Sequence, residues 1–126
     1  MPVRKASTRV DVMFRAFSDK TRLRILHLLR DGELCVHDIV KVLAVPQPTA
    51  SRHLSYLRKA GLVVGRRDGL WMYYSLLPAR GSFHEKLLEC LSSCFGEVTQ
   101  LSKDAAALQE IRRTPHPPEE PAPVTG

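Results

Sequence analysis

Cysteine is scarce in this chain: Cys35, Cys90 and Cys94 are the whole set. An odd and small number excludes a disulfide framework. It leaves buried thiols, a metal or metalloid site, or thiol redox chemistry. Long apolar runs are missing too. No stretch approaches the ~18 apolar residues that a membrane-spanning helix needs, and Met1–Thr8 is basic and polar, without the apolar region of a secretory signal. These absences point to a soluble cytoplasmic protein with no membrane partner. There is also no glycine-rich phosphate loop, no nucleophile elbow and no paired-histidine zinc motif on a helix. The five histidines, His27, His37, His53, His84 and His116, are scattered over different segments. An enzyme is not expected.

What is present is a basic chain of one-domain length. Its 126 residues carry a formal net charge of +6, and 44% of them are hydrophobic. That is enough for a core, and the charge, with a pI near 9.6, suits a polyanion such as nucleic acid or a lipid surface.

The pattern along the chain is mainly helical. Residues 1–8 read as a flexible N-terminus, 9–112 as the folded domain, and 113–126, rich in proline, as a disordered tail. Val10, Met13, Phe14 and Phe17 fall at the i, i+3, i+4, i+7 spacing of an amphipathic helix. Ser18-Asp19 caps a second helix, Lys20 to Arg30, which Asp31-Gly32 ends. A third helix starts at Leu34 or Cys35 and runs to Leu43. Ala44-Val45-Pro46-Gln47-Pro48 is a turn, because neither proline fits a helix interior. Pro48 suits the first position of the next helix, Gln47 to Ala60, which Gly61 terminates. Leu62–Arg67 and Leu70–Leu76 read as strands around an Asp68-Gly69 hairpin turn. A last helix begins near Ser82. Leu91, Cys94, Val98, Leu101, Ala105 and Leu108 make a coiled-coil-like seam on it, with Gly96 as a point where it splits.

Helix, helix, tight turn, helix, hairpin is the order of a winged helix-turn-helix: mainly α with a small β-hairpin. In that arrangement the second helix of the motif enters the DNA major groove. The candidate reading side chains on Gln47–Ala60 are Gln47, Thr49, Ser51, Arg52, His53, Tyr56 and Arg58, with Lys59 beside them. Arginine can take guanine O6 and N7 bidentately and glutamine can do the same for adenine, while hydroxyls suit phosphate oxygens. Arg66 and Arg67 on the hairpin would reach the backbone or the minor groove. The competing use of this fold, a winged helix for protein contacts, has no need of a polar, basic surface at Ser51, Arg52 and Arg58.

Particular segments carry a resemblance. They are Phe17-Ser18-Asp19-Lys20-Thr21-Arg22-Leu23-Arg24-Ile25-Leu26, Gly32-Glu33-Leu34-Cys35-Val36-His37-Asp38-Ile39, Gln47-Pro48-Thr49-Ala50-Ser51-Arg52-His53-Leu54 and Leu57-Arg58-Lys59-Ala60-Gly61-Leu62-Val63. The wing Arg66-Arg67-Asp68-Gly69-Leu70-Trp71-Met72-Tyr73-Tyr74 completes them. Over residues 10–77 the chain resembles the arsenic-repressor (ArsR/SmtB) family of bacterial winged-helix regulators. The resemblance implies a homodimer joined through its first and last helices. It implies a roughly palindromic double-stranded operator, repression without ligand, and release when an inducer binds.

The resemblance also frames the cysteines. Arsenic sensors of the family carry Glu-Leu-Cys-Val-Cys-Asp-Leu where this chain has Glu33-Leu34-Cys35-Val36-His37-Asp38-Ile39, so His37 replaces a thiol. Trivalent arsenic or antimony favours three soft thiolates. Cys90 and Cys94, four apart, share a helical face, and some members sense the metalloid with cysteines there; Cys35 is the candidate third ligand. A site with two thiols would favour a substituted arsenical. Cys94 on the seam and Cys35 near a helix start, with a thiol pKa lowered by the dipole, also read as packing residues. Zinc or cadmium on Cys35, His37, Cys90 and Cys94 is the second possibility. The family's last-helix metal pattern is incomplete, because no second histidine follows His84 on that helix. Thiol oxidation ranks third, since cysteines at i and i+4 need distortion to form a disulfide.

Overall fold

Asp19 shows how local chemistry builds the first corner of the computed structural model, which describes residues 10–93 and 98–113. Its carboxylate accepts the Arg22 backbone N–H at 3.0 Å and so caps helix α2 (Lys20–Leu28), just after helix α1 (Val10–Phe17). The stripe expected on α1 divides. Met13 is buried and Phe17 packs partly against the same core, while Val10 and Phe14 stay 42% and 57% exposed. Helix α2 stops at Leu28, short of Arg30. It tightens into a 3-10 turn over Leu29–Asp31, and Gly32 follows at φ 139°.

The expected start of the third helix is corrected. Leu34–Cys35 form a short strand, β1, and helix α3 spans Val36–Leu43. Strand β1 pairs antiparallel with the second strand of the hairpin, Leu34 opposite Tyr74 and Cys35 opposite Tyr73. The wing is thus the outer part of a three-stranded sheet. Pairing satisfies the Leu34 and Cys35 backbone while the Leu34 side chain enters the core. A two-residue strand has no periodicity of its own to read.

Between α3 and helix α4 (Gln47–Lys59) the turn rests on Ala44, at φ 57° and ψ 43°, the one non-glycine residue with positive φ among those described. Its N–H bonds Val40 O, closing α3. The Pro46 carbonyl then accepts from the N–H groups of Thr49 and Ala50, which makes Pro48 the second helical residue rather than the first. After Lys59, Gly61 at φ 81° lets the Leu62 N–H return to Leu57 O, a left-handed C-terminal stop.

Strands β2 (Val63–Asp68) and β3 (Trp71–Leu76) run one residue out of step with the expectation, because Asp68 pairs with Trp71 and leaves Gly69-Leu70 as the two-residue turn. Positive φ at Gly69 alone, 66°, is the pattern of a type II′ turn.

The last segment forms helices α5 (Ser82–Ser93) and α6 (Thr99–Arg113). Leu91, Leu101 and Leu108 of the expected seam are buried, Val98 is 39% exposed, and Cys94 lies outside the described residues. Helix α6 packs on α2 and α3 of its own chain. The core joins Ile25 and Leu26 of α2, Ile39 and Leu43 of α3 and Leu54 and Leu57 of α4 to Val63, Tyr74 and Leu91. Residues 1–8 and 114–126 lie outside the described residues; Arg113, expected in the tail, is the last residue of α6. No described helix is long and apolar enough to cross a membrane.

Candidate nucleic-acid interface

Helix α4 is amphipathic, and its two faces divide the work. Ala50, Leu54 and Leu57 are completely buried. At about 100° per residue, the side opposite them carries Pro48, Arg52 and Lys59, all exposed. Ser55 and Tyr56 border that ridge, with Thr49 beyond Tyr56 and Ser51 and Gln47 on the far flank, all half-buried. Arg58 is exposed on the Ser51 side. Among the described residues, none of Arg52, Arg58, Lys59 and Arg67 is held in an ion pair with another of them.

Two expected reading residues lie against other elements of the fold. His53 lies on the flank of α4 with Nδ1 3.8 Å from Asp19 Oδ2, next to the cap of α2. The Tyr56 ring lies under the Arg22 guanidinium, 3.9 Å from its centroid. Arg22 in turn donates from Nε to Ala16 O and from Nη2 to Arg15 O, the last carbonyls of α1. Arg22 therefore clamps three helices, α1, α2 and α4. Sequence patterning does not single it out, since its partners come from the last turn of α1 and from a distant helix.

On the wing, β2 alternates faces, so Arg66 and Arg67 diverge. Arg67 is opposite Met72 and exposed. Arg66 is opposite Tyr73 and donates to both carboxylate oxygens of Glu33, Nη2 at 2.7 Å and Nε at 2.9 Å. Its guanidinium carbon sits 4.7 Å from the Tyr73 ring centroid. The hydrogen bonds from Arg66 hold the Glu33 carboxyl below its ordinary pKa.

The thiols are not assembled by the described part of the fold. Cys35 is 3% exposed, on the sheet across from Tyr73. Burial pushes its thiol pKa up, and the Asp38 charge adds to that, against the lowering pull of the His37 and Asp38 N–H groups. This is opposite to the helix-dipole expectation: desolvation outweighs the N-terminal field. The His37 ring stands edge-on to Trp71 at 6.0 Å. Cys90 is half-buried on α5, and neither it nor Cys35 is in a disulfide. Among the described residues no three His, Cys, Asp or Glu side chains gather as a metal site. Cys35 with His37 does not fit a three-thiolate metalloid, and the Cys90–Cys94 pair lies partly outside the described residues.

Residues 19–64 match the family described as the bacterial regulatory protein, arsR family. The arsenic resistance transcriptional regulator ArsR1 of Pseudomonas putida is 38% identical over 108 residues, covering 85% of this chain and 83% of that protein. The chain belongs to the ArsR family. The arsenical resistance operon repressor of Escherichia coli K12 is 39% identical over 89 residues, 70% of this chain and 76% of its own. HlyU from Vibrio cholerae N16961 superposes with a TM-score of 0.63 at 30% identity, covering 74% of this chain and 98% of that one. The ArsR-family chain is a DNA-binding transcriptional repressor with the winged helix-turn-helix fold, and not an enzyme.

Three histidines of this ArsR-family chain are held below the ordinary imidazole pKa. Burial lowers the pKa of His27, His53 and His84, helped by Arg30 at His27 and by Arg80 at His84, while Asp19 opposes the shift at His53. His84 is fully buried; its Nδ1 accepts the Arg80 backbone N–H at 3.1 Å, and its Nε2 has no partner among the described residues. Because the folded-state values lie below those of the unfolded chain, the unfolded state takes up protons first as the pH drops. Stability is full above the ordinary imidazole value of about 6.5 and declines as the pH falls through it. Thermal unfolding followed by circular dichroism is expected to show a lower Tm at pH 5.5 than at pH 8. The decline should be smaller in His84→Leu, which has one buried imidazole fewer to charge.

Proposed function

We propose that this repressor binds a two-fold-symmetric operator as a homodimer and leaves it when trivalent arsenic or antimony binds the thiols of Cys90 and Cys94. The observation that carries the DNA part is α4 itself. An exposed ridge of Arg52 and Lys59, with Arg58 on its flank, is backed by fully buried Ala50, Leu54 and Leu57 and stands one turn after α3. Gln47, Thr49 and Ser51 extend the polar surface toward the helix start, and Arg67 on the wing supports it from the side. One such helix per protomer meets half-sites one DNA turn apart.

Dimerisation is supported by apolar surface left outside the core. Val10 and Phe14 of α1 are exposed, and Phe14 stacks edge-on with Phe83 of α5 at 5.3 Å. The first helix and α5 are therefore the joining surface of the proposal; α6 buries Leu101 and Leu108 and packs on α2 and α3.

Arsenic resistance appears in the names of both relatives described above, and Cys90 is the half-buried thiol of the described part. Cys90 and Cys94 are the proposed ligands, with Cys35 held back by burial. The test is fluorescence anisotropy of the labelled duplex that the wild-type protein selects from a random-sequence library. It is titrated with arsenite, antimonite, a monosubstituted trivalent arsenical, Cd²⁺, Zn²⁺ and peroxide. With two thiols as ligands, the monosubstituted arsenical is expected to release DNA at the lowest dose, with arsenite and antimonite following at higher doses, while release by arsenite and antimonite that is lost in Cys35→Ser would mark a site with three thiols. Cys90→Ser/Cys94→Ser should abolish release and keep binding, while Cys35→Ser should keep both. If the double variant still releases DNA at wild-type doses, the inducer site is elsewhere.

A further inference from the structure

The two adjacent wing arginines do different jobs, and one feature separates them. Arg66 is already occupied. Its fork is closed on Glu33 by two hydrogen bonds, 2.7 and 2.9 Å long. The Asp68 carboxylate stands 3.9 Å from Nη1 on another side, and the ring of Tyr73 lies against the guanidinium. A phosphate seeking this guanidinium would have to displace one carboxylate and approach a second. Arg67, one residue on and on the opposite face of β2, is exposed and in no ion pair with a described residue. Glu33 directly precedes β1, so the Glu33–Arg66 contact bridges the two outer strands of the sheet across β3.

We propose that Arg66 is a positioning residue of the wing, fixed by Glu33 and Tyr73, and that Arg67 alone makes the wing's phosphate contact. The proposal rests on the DNA-binding reading of α4 and the wing. An exposed ion pair holds little by itself, but a bidentate arginine–carboxylate fork fixes direction as well as distance, and the stacked tyrosine restricts the guanidinium plane. The result is a hairpin held at a set angle to α4, with its one uncommitted arginine facing outward.

The test uses the full chain and the same selected duplex, with affinity measured over a range of salt concentrations. Each phosphate contact contributes about 0.9 to the slope of log K against log salt. Arg67→Gln is expected to make that slope shallower by about one per wing. Arg66→Gln should leave the slope unchanged and lower affinity by a similar factor, several-fold, at every salt concentration. Arg66→Lys, which keeps the charge and loses the fork, should behave like Arg66→Gln. A lysine making a phosphate contact would instead keep most of the affinity. Glu33→Gln gives opposite signs. For a positioning role it weakens binding several-fold at constant slope. If Arg66 is a phosphate contact restrained by Glu33, the same change strengthens binding and steepens the slope. The second result, or a shallower slope in Arg66→Gln, overturns the proposal and leaves operator binding by α4 standing. Failure of the wild-type protein to select any duplex overturns both.

Discussion

Asp104→Ala is expected to destabilise the fold by about 3–5 kcal/mol, the cost of leaving one member of a buried ion pair without its partner. The Asp104 side chain on α6 is 2% exposed and that of Arg24 on α2 is 15% exposed. The carboxylate accepts Arg24 Nε at 2.8 Å and Nη2 at 2.9 Å, and Gln100 Nε2 at 2.9 Å as well. Truncation removes the acceptor of three hydrogen bonds and leaves the guanidinium charged and half-enclosed. Domains are stable by only about 5–15 kcal/mol, so this single change takes a large fraction of the margin. Urea unfolding is the measurement. The paired replacement Arg24→Met/Asp104→Leu should recover most of the loss, because neither charge then has to be desolvated. A double variant as unstable as Asp104→Ala would show that the stabilisation lies in packing rather than in the pair.

The same pair marks where the sequence stops being legible. Features decided within a few residues read correctly from it. The Asp19 cap, the Pro46–Pro48 turn, the body of α4, its stop at Gly61 and the hairpin all depend on near neighbours. Even there the register slipped by one at Gly69-Leu70, because one glycine fits either position of a two-residue turn until cross-strand pairing decides. Contacts that join distant segments were not readable. Arg24 meets Asp104 eighty positions away, Arg66 meets Glu33 across a sheet whose third strand is two residues long, and Arg22 lies on Tyr56. These partners shape the candidate site. They commit Arg66 to Glu33 and the Tyr56 ring to Arg22, and they draw His53 toward Asp19, although composition alone marks all three as equal to Arg52. The cysteines show the other limit. Spacing alone suggests a shared face for Cys90 and Cys94, but it says nothing of Cys35, which is buried on a strand that pairs with β3.

Arg52→Ala is expected to reduce affinity for the selected duplex about fivefold to 150-fold per half-site, the equivalent of ~1–3 kcal/mol for a good bidentate base contact. If both protomers engage the DNA, the loss applies twice. Arg52 is the arginine of α4 on the ridge opposite Ala50, Leu54 and Leu57, where a side chain can point along the groove floor; Arg58 lies toward the flank. Being exposed, Arg52 adds little to the fold, and Tm should move by no more than an ordinary surface substitution moves it. The decisive quantity is the ratio of selected-duplex to random-duplex affinity. Loss of a base contact lowers that ratio, whereas loss of a phosphate contact weakens both duplexes alike and flattens the salt dependence. His53→Ala supplies the comparison. His53 faces the cap of α2, so its removal should disturb stability more than sequence discrimination. An Arg52→Ala protein that keeps wild-type affinity and discrimination would move the reading function off this ridge, and the flank bearing Gln47, Ser51 and Arg58 would become the surface to test.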